Sequence, residues 1–357
     1  MKLNYKKLYV LIVLVLIMII AYVKEDNQIK TDIKTDKVIN IGIIFNDAGL
    51  GDKAFNDLCY DGILRAQENL GIEFDYSEAK NKEDYEKLVR QYAQSKNYDL
   101  IISVGAEQEE AITKVSKEFE NQKFTIMDSK LDLPNVSSIY TNWAQQTFLN
   151  GVIAGLALSE DTVNSEKTVG IILGKNLDHL NEGAIGFEAG VKYINPDIKV
   201  MKVVVDDFSD PSKAKEIALS MYNKGADYIQ QLAGQSGLGV FIAAKQVDKY
   251  AFGVDGNQNS FAPDNIVSTA KRNANDIIYK EINSIKNNTW TCGVHKFGIE
   301  ENVVGYEREG SNVNLDSDLT YNVEKIKKSI IEKKLEIPKT SEELNDWLEH
   351  NKYNKSV

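Results

Sequence analysis

Residues 46–62 read NDAGLGDKAFNDLCYDG and directly follow KVINIGIIF (37–45), the first convincing strand after an apolar N-terminus. Continuous apolar content of this kind marks a strand buried on both faces of a parallel sheet. Behind the turn, residues 53–70 carry Phe55, Leu58, Ile63, Ala66 and Leu70 as one helical stripe, and Gly71 ends it. The stretch is therefore a strand-to-helix turn that concentrates glycines, carboxylates, an aromatic ring and an asparagine. An open α/β sheet presents its ligand-binding groups in such turns.

The same alternation continues outward. Strands are expected at 73–77, 100–104, 123–127 and 136–140, with helices at 82–95 and 109–120. A small-residue-rich helix around 147–158 (GVIAGLAL) is too short to span a bilayer, and its glycines and alanines suit close helix packing. A second set follows: strands at 168–173, 199–205, 228–232, 249–253 and 266–269, and helices at 182–193, 212–224 and 275–284. Short strands are expected within 285–322 and terminal helices within 323–350. Two βα sets, each large enough for its own core, predict two doubly wound α/β lobes with a cleft between them.

The chain has 357 residues and a net charge of −11 with no massed basic patch, which disfavours nucleic acid as a partner. Three histidines and two cysteines form no metal-ligand cluster, and no DxDxDG loop is present, so no metal and no cofactor are implied. A Cys59–Cys292 disulfide is not indicated. GLGDKAF is not GxGxxG, and there is neither a GxxxxGK[ST] loop nor a G-x-S-x-G elbow, so no catalytic residue is assigned. Residues 1–24 are basic (MKLNYKK) and then apolar over 8–23. They read as an export signal or a single N-terminal membrane anchor, and the lack of an A-x-A pattern favours the anchor. Its basic end would stay cytoplasmic and leave the body outside. The polar residues 25–37 read as a tether.

Candidate site residues lie just beyond strand carboxyl ends: Asn46 and Asp47, Gly105, Asp128, Gly174, Phe208, Gly234, Asp255 and Lys271. Asp47 and Asp52 read either as turn and cap residues or as ligand groups. Phe55 is either a core residue or a flat platform for a base or sugar. Asp128 and Asp255 end strands in different halves and are either Asx turns or acceptors for vicinal hydroxyls, and Lys271 is either solvated or their partner. Phe208, in DDFSDP, would clamp a planar ring if it faces Phe55. His179 reads as a loop residue near the cleft mouth.

These segments resemble, in order, the basic membrane protein family of bacterial substrate-binding proteins. The resemblance rests on GLGDKAFND, KFTIMDS, NVSSIYTNWAQQTFLNGVIAGLAL, VGIILG, GFEAG, DDFSDPSKAKEIALSMYNKGADYI, AGQSGLGVFIAAK, YAFGVDGNQ and IVSTAKRN, covering about residues 38–330. It implies a type I periplasmic-binding-protein fold with three crossovers. The first lobe would be 38–141 plus 272–294, the second 142–271 plus 295–322, and 323–357 a helical extension. It also implies an extracytoplasmic protein that captures a nucleoside, purine by preference, and delivers it to an ABC permease. The base would stack between Phe55 and Phe208, its edge would meet Asn46 and Asn56, the ribose would meet Asp128, Asp255 and Lys271, and backbone would approach at Gly105. Two departures stand out. Asn46 occupies a position where the family usually has Asp, and no lipobox cysteine follows the apolar segment. Rival readings are a membrane-anchored regulator or sensor of the same fold, a sugar receptor, an enzyme, and a structural surface protein.

Overall fold

The computed structural model describes residues 38–160 and 166–354, together with Tyr9, residues 13–22 and Lys24. Residues 13–22 are helical with exposed apolar side chains. The rest of the expected signal or anchor and the whole 25–37 tether lie outside the described residues. Among the described residues no helix is long and apolar enough to cross a membrane.

The first lobe starts with β1 (Asn40–Phe45), α1 (Phe55–Leu70), β2 (Glu73–Glu78), α2 (Lys82–Ser95), β3 (Leu100–Ser103), α3 (Glu109–Glu118), β4 (Phe124–Met127) and β5 (Val136–Thr141). The second runs through α4 (Trp143–Glu160), β6 (Thr168–Leu173), α5 (Asp178–Ile194), β7 (Lys199–Val204), α6 (Pro211–Asn223), β8 (Ala226–Leu232), α7 (Leu238–Val247), β9 (Tyr250–Asp255) and β10 (Ile266–Arg272). The chain returns to the first lobe for α8 (Ala274–Lys286), packed on α1, and β11 (Gly293–Phe297). It then crosses back for β12 (Val304–Glu307), α9 (Ser317–Ile331) and α10 (Ser341–His350). The sheets are ordered β11-β5-β4-β3-β1-β2 and β12-β10-β9-β8-β6-β7. All pairings are parallel except β10–β12. This is the doubly wound 2-1-3-4-5 order, repeated.

Four differences from the expected boundaries bear on the lobes and the site. β10 stays paired with β12 through Arg272, so the return to the first lobe expected between 271 and 272 comes after Arg272. β11 pairs with β5 through Phe297, so the crossing expected at 294–295 comes after Phe297. α9 begins at Ser317, because Asp316 caps it by accepting from the Leu319 N–H at 2.6 Å, and it packs on α4 instead of starting a separate extension. α5 begins at Asp178, which puts His179 in its first turn and not in a loop. Both cysteines are free, with Cys59 buried and Cys292 exposed.

The core of the second lobe is set by α4 against α5. α4 is buried on nearly every face, as a helix apolar all round must be. Its contact with α5 is close because glycines supply it. A Cβ on Gly151, Gly186 or Gly190 would collide with the backbone carbonyls of Phe187, Ala144 and Phe148 respectively. Gly186→Ala gains about 1 kcal/mol in helix propensity. It must nevertheless push apart two backbones that cannot rotate away, a cost of about 1–3 kcal/mol or more. We expect net destabilisation, seen as a lower urea midpoint; an unchanged or higher midpoint would show that the two helices are free to separate.

Candidate ligand-binding site

In each doubly wound sheet the strand order reverses at one point, and helices on either side leave a crevice there. In the first sheet this point lies between β1 and β3, whose carboxyl ends carry Asn46 and Gly105. In the second it lies between β6 and β8, which lead into Gly174 and Gly234. The two crevices face one another and enclose a cavity of about 500 Å³ of atom-free space, partly open to solvent.

The cavity is organised around a side chain that the sequence reading passed over. Arg272 ends β10 and is only 1% exposed. Its Nη1 donates to Asp128 Oδ1 and Oδ2 at 2.6 and 2.8 Å, and its Nε donates to Asp255 Oδ1 at 2.8 Å. The guanidinium carbon lies 4.0 Å from the Phe55 ring centroid and 4.3 Å from that of Trp143. Trp143 Nε1 and Thr141 Oγ1 also donate to Asp128 Oδ1, each at 3.2 Å, and Gln146 Nε2 donates to Asp255 Oδ1 at 3.1 Å. Burial alone would raise the Asp128 carboxyl, but the Arg272 charge, a smaller contribution from His179 and the hydrogen bonds from Arg272 and Trp143 together outweigh it and hold that group below the usual carboxylate range. Asp255 Oδ2 and Arg272 Nη2 have no partner within the described residues. Both aspartates have left-handed backbone, φ 60° and 64°, which turns the chain sharply at the strand end.

The first wall is built by the opening stretch. Asp52 accepts from the backbone N–H groups of Ala54, Asn56 and Asp57 at 2.9, 2.8 and 3.2 Å and so caps α1. Burial still pushes its carboxyl up to about 6. The cap fixes the first turn, which aims Phe55 at the cavity while its ring also joins the main core. Asn56 is fully buried and does not line the cavity. Its Nδ2 donates to Asn46 Oδ1 at 2.7 Å and to the Gly49 carbonyl at 2.8 Å, so it positions Asn46.

Opposite, the Phe208 ring lies over Gly174 and Gly234; a Cβ on Gly174 would overlap it. Lys175 Nζ sits 5.0 Å from that ring's centroid and pairs with Asp47 Oδ2 at 2.8 Å, a bridge between the lobes. Gln258 Nε2 adds a second bridge to the Lys53 carbonyl at 3.1 Å. His179 lines the cavity, with its ring 5.0 Å from that of Trp143, and burial lowers its pKa. Glu107 also faces the cavity. Burial pushes its carboxyl up to about 7, with Asp47 and Asp128 adding to the rise and Lys175 opposing it.

Of the expected residues, Asn46, Phe55, Gly105, Asp128, Phe208, Gly234 and Asp255 converge on the cavity. Asp47, Asn56 and Lys271 do not. Lys271 points to the opposite face of β10, with Nζ 3.7 Å from Glu307 Oε2. The expected strand stopped at Thr269, whereas antiparallel pairing with β12 extends it through Arg272. Successive strand residues face opposite ways, so Arg272 takes the cavity side. Trp143 was legible by the strand-end rule applied to β5, and Glu107 by its place two residues beyond Gly105.

Residues 39–341 match the family described as ABC transporter substrate-binding protein, PnrA-like (Bmp). An uncharacterised lipoprotein of Pyrococcus abyssi is 31% identical over 77% of this chain and 71% of its own length. Basic membrane protein A of Borreliella burgdorferi is 26% identical over 85% of this chain and 88% of its own. The crystal structure of an ABC-transporter solute-binding protein from Aeropyrum pernix K1 matches with a TM-score of 0.79 at 22% identity, covering 88% of this chain and 99% of that one. The likeness in structure extends to the two-lobed periplasmic-binding-protein fold. Members of the family are extracytoplasmic solute-binding proteins that perform no bond chemistry and hand their ligand to a membrane permease. The chain belongs to this PnrA-like family of ABC-transporter substrate-binding proteins.

Proposed function

We propose that the solute is a nucleoside, purine by preference, held between the two lobes, and that the apolar N-terminal segment anchors the protein at the outer face of the cell membrane. The observation that carries the ligand assignment is the pairing of aromatic walls with a charged end in one cavity. Phe208 offers ring surface to a planar ligand, and Phe55 and Trp143, each with one face against the Arg272 guanidinium, add aromatic surface to the cavity wall. Asp255 and Arg272, each with an unused polar atom, supply an acceptor and a donor for vicinal hydroxyls. A free sugar would use the charged end and leave most of the aromatic surface bare.

Closure follows from the same placement. Asn46, Phe55 and Gly105 belong to the first lobe, and Phe208, Asp255 and Arg272 to the second. A ligand touching both sets favours the closed arrangement, because only there are all contacts made. The Lys175–Asp47 and Gln258–Lys53 bridges support it. A permease then reads the closed shape.

Calorimetry with a panel of nucleosides and free sugars is expected to give saturable heat with nucleosides; heat with a sugar and none with any nucleoside would overturn the assignment. Phe55→Leu keeps apolar bulk and removes the ring face, and should weaken nucleoside binding by about 0.5–1.5 kcal/mol. Asp255→Asn keeps the shape and removes the charged acceptor, with an expected loss of about 1.5–3 kcal/mol; equal affinity would remove Asp255 from the hydroxyl site. Lys175→Met breaks a partly exposed pair, and titration should read only a loss of roughly two- to fivefold.

A further inference from the structure

The cavity wall beside Gly105 carries two polar groups that the hydroxyl contacts do not use. Gly105 has a φ of 115°, and a Cβ there would lie 2.5 Å from Glu107 Oε2 and 3.2 Å from Asn46 Nδ2. A donor and a carboxylate thus sit side by side over one bare glycine. The Asn46 amide has a defined orientation. Its Oδ1 accepts from the Ala48 N–H at 3.1 Å and from Asn56 Nδ2 at 2.7 Å, and the same Asn56 nitrogen is held by the Gly49 carbonyl. Only the Nδ2 donor remains, and it has no partner among the described residues. The Glu107 carboxyl accepts from its own backbone N–H and is favoured by the Lys175 charge, and among the described residues it makes no side-chain hydrogen bond.

We propose that Asn46 Nδ2 and the Glu107 carboxylate together read the base edge and select a lactam-type base, one with a carbonyl oxygen beside a ring N–H as in guanosine and inosine. This rests on the nucleoside reading above. Asn46 Nδ2 donates to the base carbonyl, and the carboxylate accepts from the adjacent ring N–H. The 2-amino group of guanine gives the carboxylate a second proton to accept. Adenine reverses the pattern. Its amino group would face the Asn46 donor, and its ring-nitrogen lone pair would face the carboxylate. Sites built around specific hydrogen bonds reject a mismatched edge strongly, because their own polar groups are left unpaired.

The test is calorimetry of the full chain with guanosine, inosine and adenosine at about pH 8, above the Glu107 midpoint of about 7, for wild type, Glu107→Gln and Asn46→Asp. Wild type should prefer guanosine to adenosine by roughly tenfold or more. Glu107→Gln, of equal volume, should lower that preference by about tenfold, by weakening guanosine and by letting an amide N–H meet the adenine ring nitrogen. Asn46→Asp, which puts an acceptor where the donor was, should move preference towards adenosine. Equal binding of guanosine and adenosine by wild type, or a preference unchanged in both variants, would overturn the base-edge assignment and leave the nucleoside reading standing. No heat with any nucleoside would overturn both.

Discussion

The buried contact of Arg272 with Asp128 and Asp255 is the constraint on which the rest of the site depends. A guanidinium with 1% exposure is tolerated only where carboxylates and hydrogen bonds replace its water. Here one carboxylate ends a strand of each sheet, and the aromatic faces of Phe55 and Trp143 cover the remaining planes of the guanidinium. Removing one partner would leave an uncompensated charge in the interior, typically about 3–5 kcal/mol. Arg272 also stands immediately before the second crossover, so the charge network and the hinge region are one structure. Asp128 is consequently committed to the framework on both oxygens, and Asp255 is the carboxylate with capacity to spare.

The opening stretch acts through a hierarchy and not as a row of equal contacts. Asp52 caps the helix, the cap aims Phe55, Asn56 orients Asn46, and Asp47 leaves the cavity altogether to bridge to Lys175. Neighbouring polar residues in one turn thus separate into those that meet the solute and those that hold them in place. A static list of polar residues in a loop does not contain that distinction, since it depends on which hydrogen bonds are already taken.

The fold was legible in the sequence because parallel strands buried on both faces read as continuous apolar runs, and because helices between them carry stripes closed by glycines or opened by Asp and Asn caps. The rule that ligands meet strand carboxyl ends found six of the cavity residues. Lys271 and Arg272 were not separable by the same means. β10 is buried nearly throughout, so it shows no alternation from which to read parity, and its true end is set by pairing with β12, a strand more than thirty residues away. The boundary at β11 failed for a similar reason: Gly293–Phe297 joins the first sheet through contacts with β5 that leave no local signal. The α9 start, by contrast, was readable from Asp316 three residues before Leu319.

The left-handed backbone at Asp128 and Asp255 has a bearing on how such a receptor can change over evolutionary time. At φ near 60° a Cβ-bearing residue other than Asn or Asp is disfavoured by roughly 1–2 kcal/mol. The neighbourhood of tolerated single substitutions at both strand ends is therefore narrow. Lineages that drift in the solute they accept are steered away from these two positions and towards residues on ordinary backbone, such as Asn46 and Glu107 themselves. The hydroxyl contacts would stay constant while the wall beside Gly105 diversifies, a division of labour enforced by chain geometry before selection on ligand begins.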